Sequence, residues 1–527
     1  MQNLEWWKRA VIYEVYPRSF QDSNGDGIGD LRGILDRLDY LVELGVDALW
    51  VAPIYPSPMA DFGYDVADYC GIDPIFGNMS DFDLLLEQVH RRGLRLILDF
   101  VPNHTSEHHP WFLESRSSRD NPKRDWYLWR DHPNNWTSNF GGSAWEFDEL
   151  TGQYYYHSFL KQQPDLNWRN PAVKAAMFDV LRFWLQKGVD GFRVDVMWMM
   201  IKDDQFRDNP PNPDYRAGFS SNHRFLPHYN TDQSEVHAIV GEMRSLIDEF
   251  SNRVLIGEIY LPIARLMTYY GMDLKGANLP FNFCLLQCAW SADAVAQAIG
   301  DYYGALPEGA WPNWVVGNHD QPRIASRIGK QQARIAAILL LTLPGTLTMY
   351  YGEEIGMTNV PIAPEQVQDP AEQCEPGLGQ GRDPERTPMC WDRSPCAGFT
   401  RGVPWLPLGA DSTSVNVAVE QQDSSSVLIL YRKLIALRKS HPTLISGKLH
   451  DLHVEKNVLR FRRSGEEQIE VILNMAHEEA LVQTPSVQVL LGTRMDRKAE
   501  IAGFSTLHPD EGLVLLFTDI SRKLRQE

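Results

Sequence analysis

Asp195, Glu258 and Asp320 close three short motifs, Gly191-Phe-Arg-Val-Asp195, Ile256-Gly-Glu258 and Val316-Gly-Asn-His-Asp320. Side chains alternate across a strand, so Arg193 and Asp195 point to one face and Phe192, Val194 and Val196 to the other. A guanidinium and a carboxylate two residues apart at the end of an apolar strand are costly to bury without a purpose. Taken alone, this hexapeptide fits a structural ion pair under a loop equally well. Cleavage of a glycosidic bond needs two carboxyl groups in different protonation states. Asp195 fits the ionised, nucleophilic member, because Arg193 favours its charged form. Glu258 fits the protonated member, because a neighbouring carboxylate and its apolar strand both raise its pKa. Asp320 could balance positive charge on an oxocarbenium-like sugar or grip ring hydroxyls. His104, which follows Asp99-Phe-Val-Pro-Asn103, and His319 can donate hydrogen bonds to hydroxyls.

These residues work together only if a scaffold gathers them. Apolar runs at Val11–Pro17, Ala48–Pro53, Leu94–Val101, Gly191–Val196, Arg253–Ile259, Leu279–Phe283, Trp314–Gly317 and Thr346–Tyr351 read as strands. Helical patterns lie at Leu31–Leu44, Asp81–Arg92, Val173–Lys187, Ser234–Phe250, Asp293–Tyr303, Arg334–Leu343 and Val427–Lys439. Strand–helix alternation of this size predicts an α/β fold, a (β/α)8 TIM barrel whose strand ends hold the active site. The polar, aromatic stretch from His104 to Trp168 is too long for an ordinary loop and reads as an inserted domain. Residues 358–410 read as an excursion over the top face. After Pro442 the pattern becomes short alternating runs, which predicts an all-β sandwich. The expected division is therefore 1–103 with 170–441 as barrel, 104–169 as insert and 442–527 as C-terminal domain.

The chain has 527 residues and a net charge of −19, which argues against nucleic-acid and anionic-membrane partners. Its apolar stretch at Ile335–Leu343 is too short to cross a bilayer, and the N-terminus has no apolar signal-type core. Six scattered cysteines show no zinc spacing. A reduced, cytoplasmic protein, monomer or homodimer, acting on a small substrate is the expectation.

The four motifs, Asp99-Phe-Val-Pro-Asn-His104 with the three above, resemble the α-amylase family of glycoside hydrolases in its oligo-1,6-glucosidase and α-glucosidase branch. They occur in that family's order, and Gln163-Pro-Asp-Leu-Asn-Trp168 and Arg386-Thr-Pro-Met389 are also similar to that branch. The resemblance implies a retaining double displacement, with Asp195 as nucleophile, Glu258 as acid/base and Asp320 as transition-state stabiliser. Retention corresponds to a carboxyl gap of roughly 5–5.5 Å. It also implies that Asp61 and Tyr64 line the closed end of a pocket for a terminal glucose and that Arg386 pairs with Asp61. Phe140, Phe159 and Gln163 are then expected at or near the next subsite, with Arg193, His104 and His319 among the substrate-binding residues. The expected activity is exo-acting α-glucosidase on short α-glucosides, of α-1,4 or broad linkage. The alternatives are an oligo-1,6-glucosidase, a glucosyltransferase and a sucrose or maltose isomerase. Val196 is the residue type that α-1,6-specific relatives carry after the nucleophile, whereas Met197-Trp198 departs from their pattern.

Asp22-Ser-Asn24-Gly-Asp26-Gly-Ile28-Gly-Asp30 spaces oxygen ligands like the first nine positions of an EF-hand loop. Gly33 stands where the EF-hand's bidentate Glu belongs, so the loop is not an EF-hand. It resembles the structural calcium loop of the branch, which implies Asp22, Asn24, Asp26, Asp30 and the Ile28 carbonyl as ligands of Ca²⁺ or Mg²⁺. A metal-free turn with Asp30 capping the next helix is the other reading.

Overall fold

A computed structural model describes residues 4–517. Eight parallel strands lie in one sheet: Val11–Val15, Ala48–Val51, Arg95–Phe100, Gly191–Val194, Val254–Gly257, Leu279–Pro280, Asn313–Val315 and Thr346–Tyr350. They are referred to below as strands one to eight. Strand eight pairs with strand one, and each strand from the first to the fifth pairs with the next. Strand seven pairs only with strand eight. The seam between strands six and seven is closed by a side chain: Asn313 Nδ2 donates to Pro280 O at 2.7 Å, and Asn313 Oδ1 accepts from Asn282 N at 2.9 Å. Pro280 has no N–H to give a ladder, so an amide side chain substitutes for it.

Alternation sorts the strand residues into two layers. Ile12, Trp50, Ile97, Ile256, Leu279 and Val315 fill the barrel interior, above Trp6 and Trp7. Tyr13, Leu49, Leu98, Phe192, Leu255 and Leu347 face outward, into the core shared with the helices. The helix expected over 31–44 is two, Leu31–Asp36 and Leu38–Leu44. Arg37 leaves the helical conformation between them (φ −104°, ψ 5°). Its guanidinium is committed to Gln21 Oε1 at 2.6 Å and to the Trp391 face at 4.2 Å. Helix Pro171–Lys187 ends on left-handed Gly188, and Asp190 then fixes the start of strand four by a bond from its amide to Leu96 O.

Residues between strand three and that helix form helix Pro110–Ser117 and a three-stranded antiparallel sheet, Trp129–Arg130, Trp145–Asp148 and Gln153–Tyr156. Buried Lys202 ties this unit to the barrel, bonding Asp165 and Asn103 Oδ1. From Lys448 to Phe517 the chain is all-β, six antiparallel strands in one hydrogen-bonded sheet. Its two faces bury different clusters. Leu459, Phe461, Val471 and Val514 join the main core, while Val458, Ile472, Val487 and Leu515 make their own.

The joint between that sheet and the barrel rests on two buried arginines without carboxylate partners. Arg438 donates to the carbonyls of Leu341, Leu343, Leu444 and Gly345, and Arg463 to those of Thr342, Leu444 and Gly447. Several of these carbonyls end helix Lys330–Thr342, where the helix dipole favours a cation. Burial still lowers the Arg438 pKa to about 9.

Candidate active site

Asp195 and Glu258 are each the first residue past a strand, and the ladder still pins their backbones. Asp195 N donates to Phe100 O at 2.8 Å and Glu258 N to Val194 O at 3.0 Å. Gly257 makes the close approach possible: a Cβ there would sit 2.6 Å from Met197 sulfur. Arg193, fully buried, reaches both acids with one guanidinium. Nη1 lies 2.8 Å from Asp195 Oδ1 and 2.9 Å from Asp99 Oδ1, and Nη2 lies 2.7 Å from Glu258 Oε2. Val196 N also donates to Glu258 Oε2 at 2.9 Å. Val196 adopts φ +35°, ψ +46°, a left-handed conformation that is an outlier for a β-branched residue and turns this amide toward Glu258.

These contacts set the charge state. Burial raises the pKa of both reacting carboxyls: Asp195 goes well above its usual range, and Glu258 rises to about 6. The expectation that Arg193 keeps Asp195 ionised weighed one neighbour only. The same guanidinium also serves Asp99 and Glu258, so one positive charge faces three carboxylates. The set therefore retains a proton, and its apparent pKa values belong to the pair rather than to either acid. Burial raises Asp99 as well, but its oxygens accept from Arg193, Tyr64 OH and Trp50 Nε1, all donors, which makes it the ionised member that holds Arg193. Burial pushes Asp320 up, but the guanidiniums of Arg382 at 3.2 Å and Arg386 at 2.8 Å outweigh it and hold this carboxyl well below the carboxylate range.

Asp195, Glu258, Asp320, Asp61, Tyr64, His104, Phe140, Phe159 and His319 all face one cavity of about 440 Å³. Gln163, Arg193 and Arg386 do not line it; they stand behind residues that do. Gln163 Nε2 donates to Asp61 Oδ2 at 3.1 Å and lies 3.2 Å from His104 Nε2. Burial lowers the His104 pKa to about 4, so its ring is neutral. Arg386 is not the partner of Asp61. Its Nη2 bonds Asp320 Oδ1 at 2.8 Å and its Nε bonds His319 O at 2.8 Å. The arginine on Asp61 is Arg382, one helical turn earlier, with Nη2 at 2.8 Å from Asp61 Oδ1. Arg382 also bonds Asp369 Oδ2 at 2.6 Å and Asp320 Oδ1 at 3.2 Å, and its guanidinium lies 4.9 Å from the Phe140 ring centre. The motif Arg382-Asp-Pro-Glu-Arg386 offers two arginines four apart, and spacing alone does not say which one turns inward.

Sequence reasoning also missed the far wall, where Trp198, Tyr260 and His223 line the cavity. Tyr260 stacks on Phe283 at 4.1 Å, and Asn318 Nδ2 donates to its hydroxyl at 3.1 Å. His223 comes from the long connection after strand four. That connection is tied to the top-face excursion by Glu375, which accepts from Ser220 Oγ and Ser221 Oγ, and to the insert by Ser221 Oγ, which accepts from Gly142 N at 2.7 Å.

The loop at 22–30 lies away from these groups. Asp22 accepts from the amides of Asn24, Gly25 and Gly27 and from Thr400 Oγ1. Asp30 caps the next helix through Gly33 N and also binds Ser23. Gly33 carries no side chain for a steric reason: a Cβ would lie 1.9 Å from Gln21 O. Among the described residues no three acidic, His or Cys side chains converge as a metal cluster. The oxygens present are of the hard type that suits Ca²⁺ or Mg²⁺, and one Asp26 oxygen has no donor.

Residues 14–447 match the family description "Alpha amylase, catalytic domain". The chain is 42% identical to a probable alpha-glucosidase of Rhizobium meliloti (strain 1021), over 91% of each chain. It is 40% identical to an oligo-1,6-glucosidase of Parageobacillus thermoglucosidasius, over 91% of this chain and 92% of that one. Among solved structures, an alpha-glucosyl transfer enzyme superposes with a TM-score of 0.92 at 39% identity, covering 98% of this chain and all of the other. A trehalulose synthase superposes with a TM-score of 0.91 at 36% identity, over 97% of this chain and all of that one. With the barrel, the paired carboxyls and these matches together, the chain belongs to the alpha-amylase family of glycoside hydrolases.

Proposed function

We propose that this protein is an exo-acting, retaining α-glucosidase that releases glucose from the non-reducing end of short α-glucosides, of maltose type or broad linkage. The observation that carries the reading is the pair Asp195 and Glu258 on one guanidinium, facing a cavity bounded by Asp61 and Arg382. In the productive state Asp195 is the anion and Glu258 holds the shared proton. Asp195 attacks the anomeric carbon while the Glu258 proton passes to the glycosidic oxygen, and the aglycone leaves. Water then attacks the glucosyl–Asp195 bond, Glu258 takes its proton, and glucose departs with retained configuration. Positive charge developing on the sugar ring favours the ionised form of Asp195, and Asp320, already ionised, faces the same charge. The ion pair of Arg382 with Asp61 supports a blocked end, hence release of a single terminal glucose.

A second reading, an oligo-1,6-glucosidase or an isomerase, draws on Val196 and on the oligo-1,6-glucosidase and trehalulose synthase similarities. Incubation with maltose, isomaltose and sucrose in parallel separates them. The expected result is glucose from maltose, first as the α-anomer, with transfer products only at high maltose. No release from maltose overturns the proposal.

We also propose that the 22–30 loop takes a structural Ca²⁺ or Mg²⁺, held by Asp22, Asn24, Asp26, Asp30 and the Ile28 carbonyl; no reaction step runs through it. At about 100-fold excess over its Kd, a bound cation adds ~2.7 kcal/mol, or about 2–3 °C in Tm for a chain of this size. The same Tm in EDTA and in millimolar calcium would overturn it. Six unpaired thiols among the described residues support a reduced, cytoplasmic setting. No described helix is long and apolar enough to cross a membrane. We propose that the protein acts as a monomer or homodimer, without a nucleic-acid or membrane partner.

A further inference from the structure

Glu14 sits mid-strand in strand one, inside the barrel above Ile12, with no exposure to solvent. One of its oxygens lies 2.5 Å from His319 Nδ1, and the other has no hydrogen-bond partner. His319 Nε2 lies 2.8 Å from Tyr64 OH and 3.3 Å from Asp320 Oδ2. The imidazole is held flat between Tyr16 and Tyr64, with ring centres 5.7 and 5.5 Å away. Glu14 is thus linked through His319, Tyr64, Asp99 and Arg193 to the reacting pair.

The protons in this row can be counted. Asp99 is ionised, so the Tyr64 hydroxyl hydrogen goes to it. The Tyr64 oxygen must then accept, which puts a hydrogen on His319 Nε2. One further proton lies between Nδ1 and Glu14. On nitrogen, it makes an imidazolium beside a carboxylate; on oxygen, a carboxylic acid donates to a neutral ring. The unpartnered Glu14 oxygen favours the second arrangement, because an ionised carboxylate would bury half its charge with no donor. Burial lowers His319 and raises Glu14, and although Asp320 beside Nε2 favours a charged ring, Arg386, Arg193 and Arg382 oppose it.

We propose that Glu14 is a positioning residue: a neutral carboxylic acid that donates to His319 Nδ1 and so locks the imidazole in the tautomer whose Nε2–H donates to the hydroxyl of Tyr64, on the wall of the substrate cavity. Its kinetic consequence rests on the glucosidase reading above. A rotated ring, or the other tautomer, would turn a lone pair toward the Tyr64 oxygen where it now meets a donor, and Tyr64 would lose the bond that fixes it on the cavity wall. Glutamine can replace the acid, since its amide N–H can donate to the same nitrogen. Leucine cannot.

Neutron diffraction of the wild type tests the assignment directly: the expected proton is on Glu14 oxygen, and a proton on Nδ1 overturns it. Kinetics supply the second arm. Glu14→Leu is expected to lose about 10–100-fold in kcat/KM, the range seen when a histidine's outer partner is removed. Glu14→Gln is expected to restore activity to within about threefold of wild type. Glutamine as damaging as leucine, or leucine with wild-type kinetics, also overturns it. Should Glu14→Leu fail to fold, the neutron result and the Glu14→Gln variant still decide. Should no glucoside be turned over by any of the proteins, the glucosidase reading fails while the proton position still stands or falls by itself.

Discussion

Asp195→Asn is expected to lower kcat on maltose by at least ~10⁴-fold, and Glu258→Gln by ~10²–10⁴-fold. The two losses differ in kind. Without Asp195 no covalent intermediate forms, whatever the leaving group. Without Glu258 protonation of the departing oxygen and deprotonation of the attacking water are both lost, but a 4-nitrophenyl α-glucoside, whose leaving group needs little help, is expected to retain far more activity at the first step. The pH profile gives a second signature. Activity requires the shared proton on Glu258. The raised value of about 6 means that this proton is present below that pH and lost above it. The wild-type kcat/KM should therefore fall on the alkaline side, no lower than about pH 6, as the pair loses its last proton, and on the acid side as the pair gains a second; Glu258→Gln should abolish the alkaline limb. Wild-type turnover in Asp195→Asn, or an unchanged alkaline limb in Glu258→Gln, would reassign the roles.

Arg382→Ala is expected to cost ~10²–10⁴-fold in kcat/KM, the equivalent of the ~3–5 kcal/mol typical of breaking a buried ion pair by removing one partner. Arg382 is the hub for Asp61, Asp320 and Asp369, and burial holds the Asp61 pKa at about 6 even beside it. Without Arg382, Arg386 is left to serve Asp320 at 2.8 Å and Asp369 at 3.7 Å, and Asp61 loses its cation. The loss should fall on KM through Asp61 and on kcat through Asp320. Arg382→Lys should recover only part of it, because one ammonium cannot reproduce a fork with three acceptors. A steady-state comparison of the three proteins measures the split. An Arg382→Ala variant with wild-type KM would mean that Asp61 does not hold the sugar.

The barrel strands were legible because each is a short apolar run and because the two buried layers repeat with period two. The reacting acids were legible for a related reason, since each breaks such a run at its end. Arg37 was not: its helix is interrupted by contacts to Gln21 and Trp391, and Trp391 is remote in sequence. The choice of Arg382 over Arg386 was hidden in a stretch with no periodicity, where only packing decides which side chain turns inward. The shared protonation of Asp195 and Glu258 was hidden because strand four shows its own Arg193 but not the other acids that compete for it. Glu14 left a trace, a carboxylate inside Val11-Ile-Tyr-Glu-Val15, and alternation places it with interior Ile12. Reading Val11–Pro17 as merely a strand concealed it.

The two buried guanidiniums at the joint carry a consequence for the chain's architecture. Arg463 belongs to the terminal sheet, yet beside the carbonyls of Leu444 and Gly447 it satisfies one that belongs to the barrel wall, at Thr342. Helix Lys330–Thr342 leads directly into strand eight, the neighbour of the strand that carries Asp320. The terminal module is therefore a keystone rather than an appendage: trimming it away would bare peptide groups under the very wall that supports catalysis.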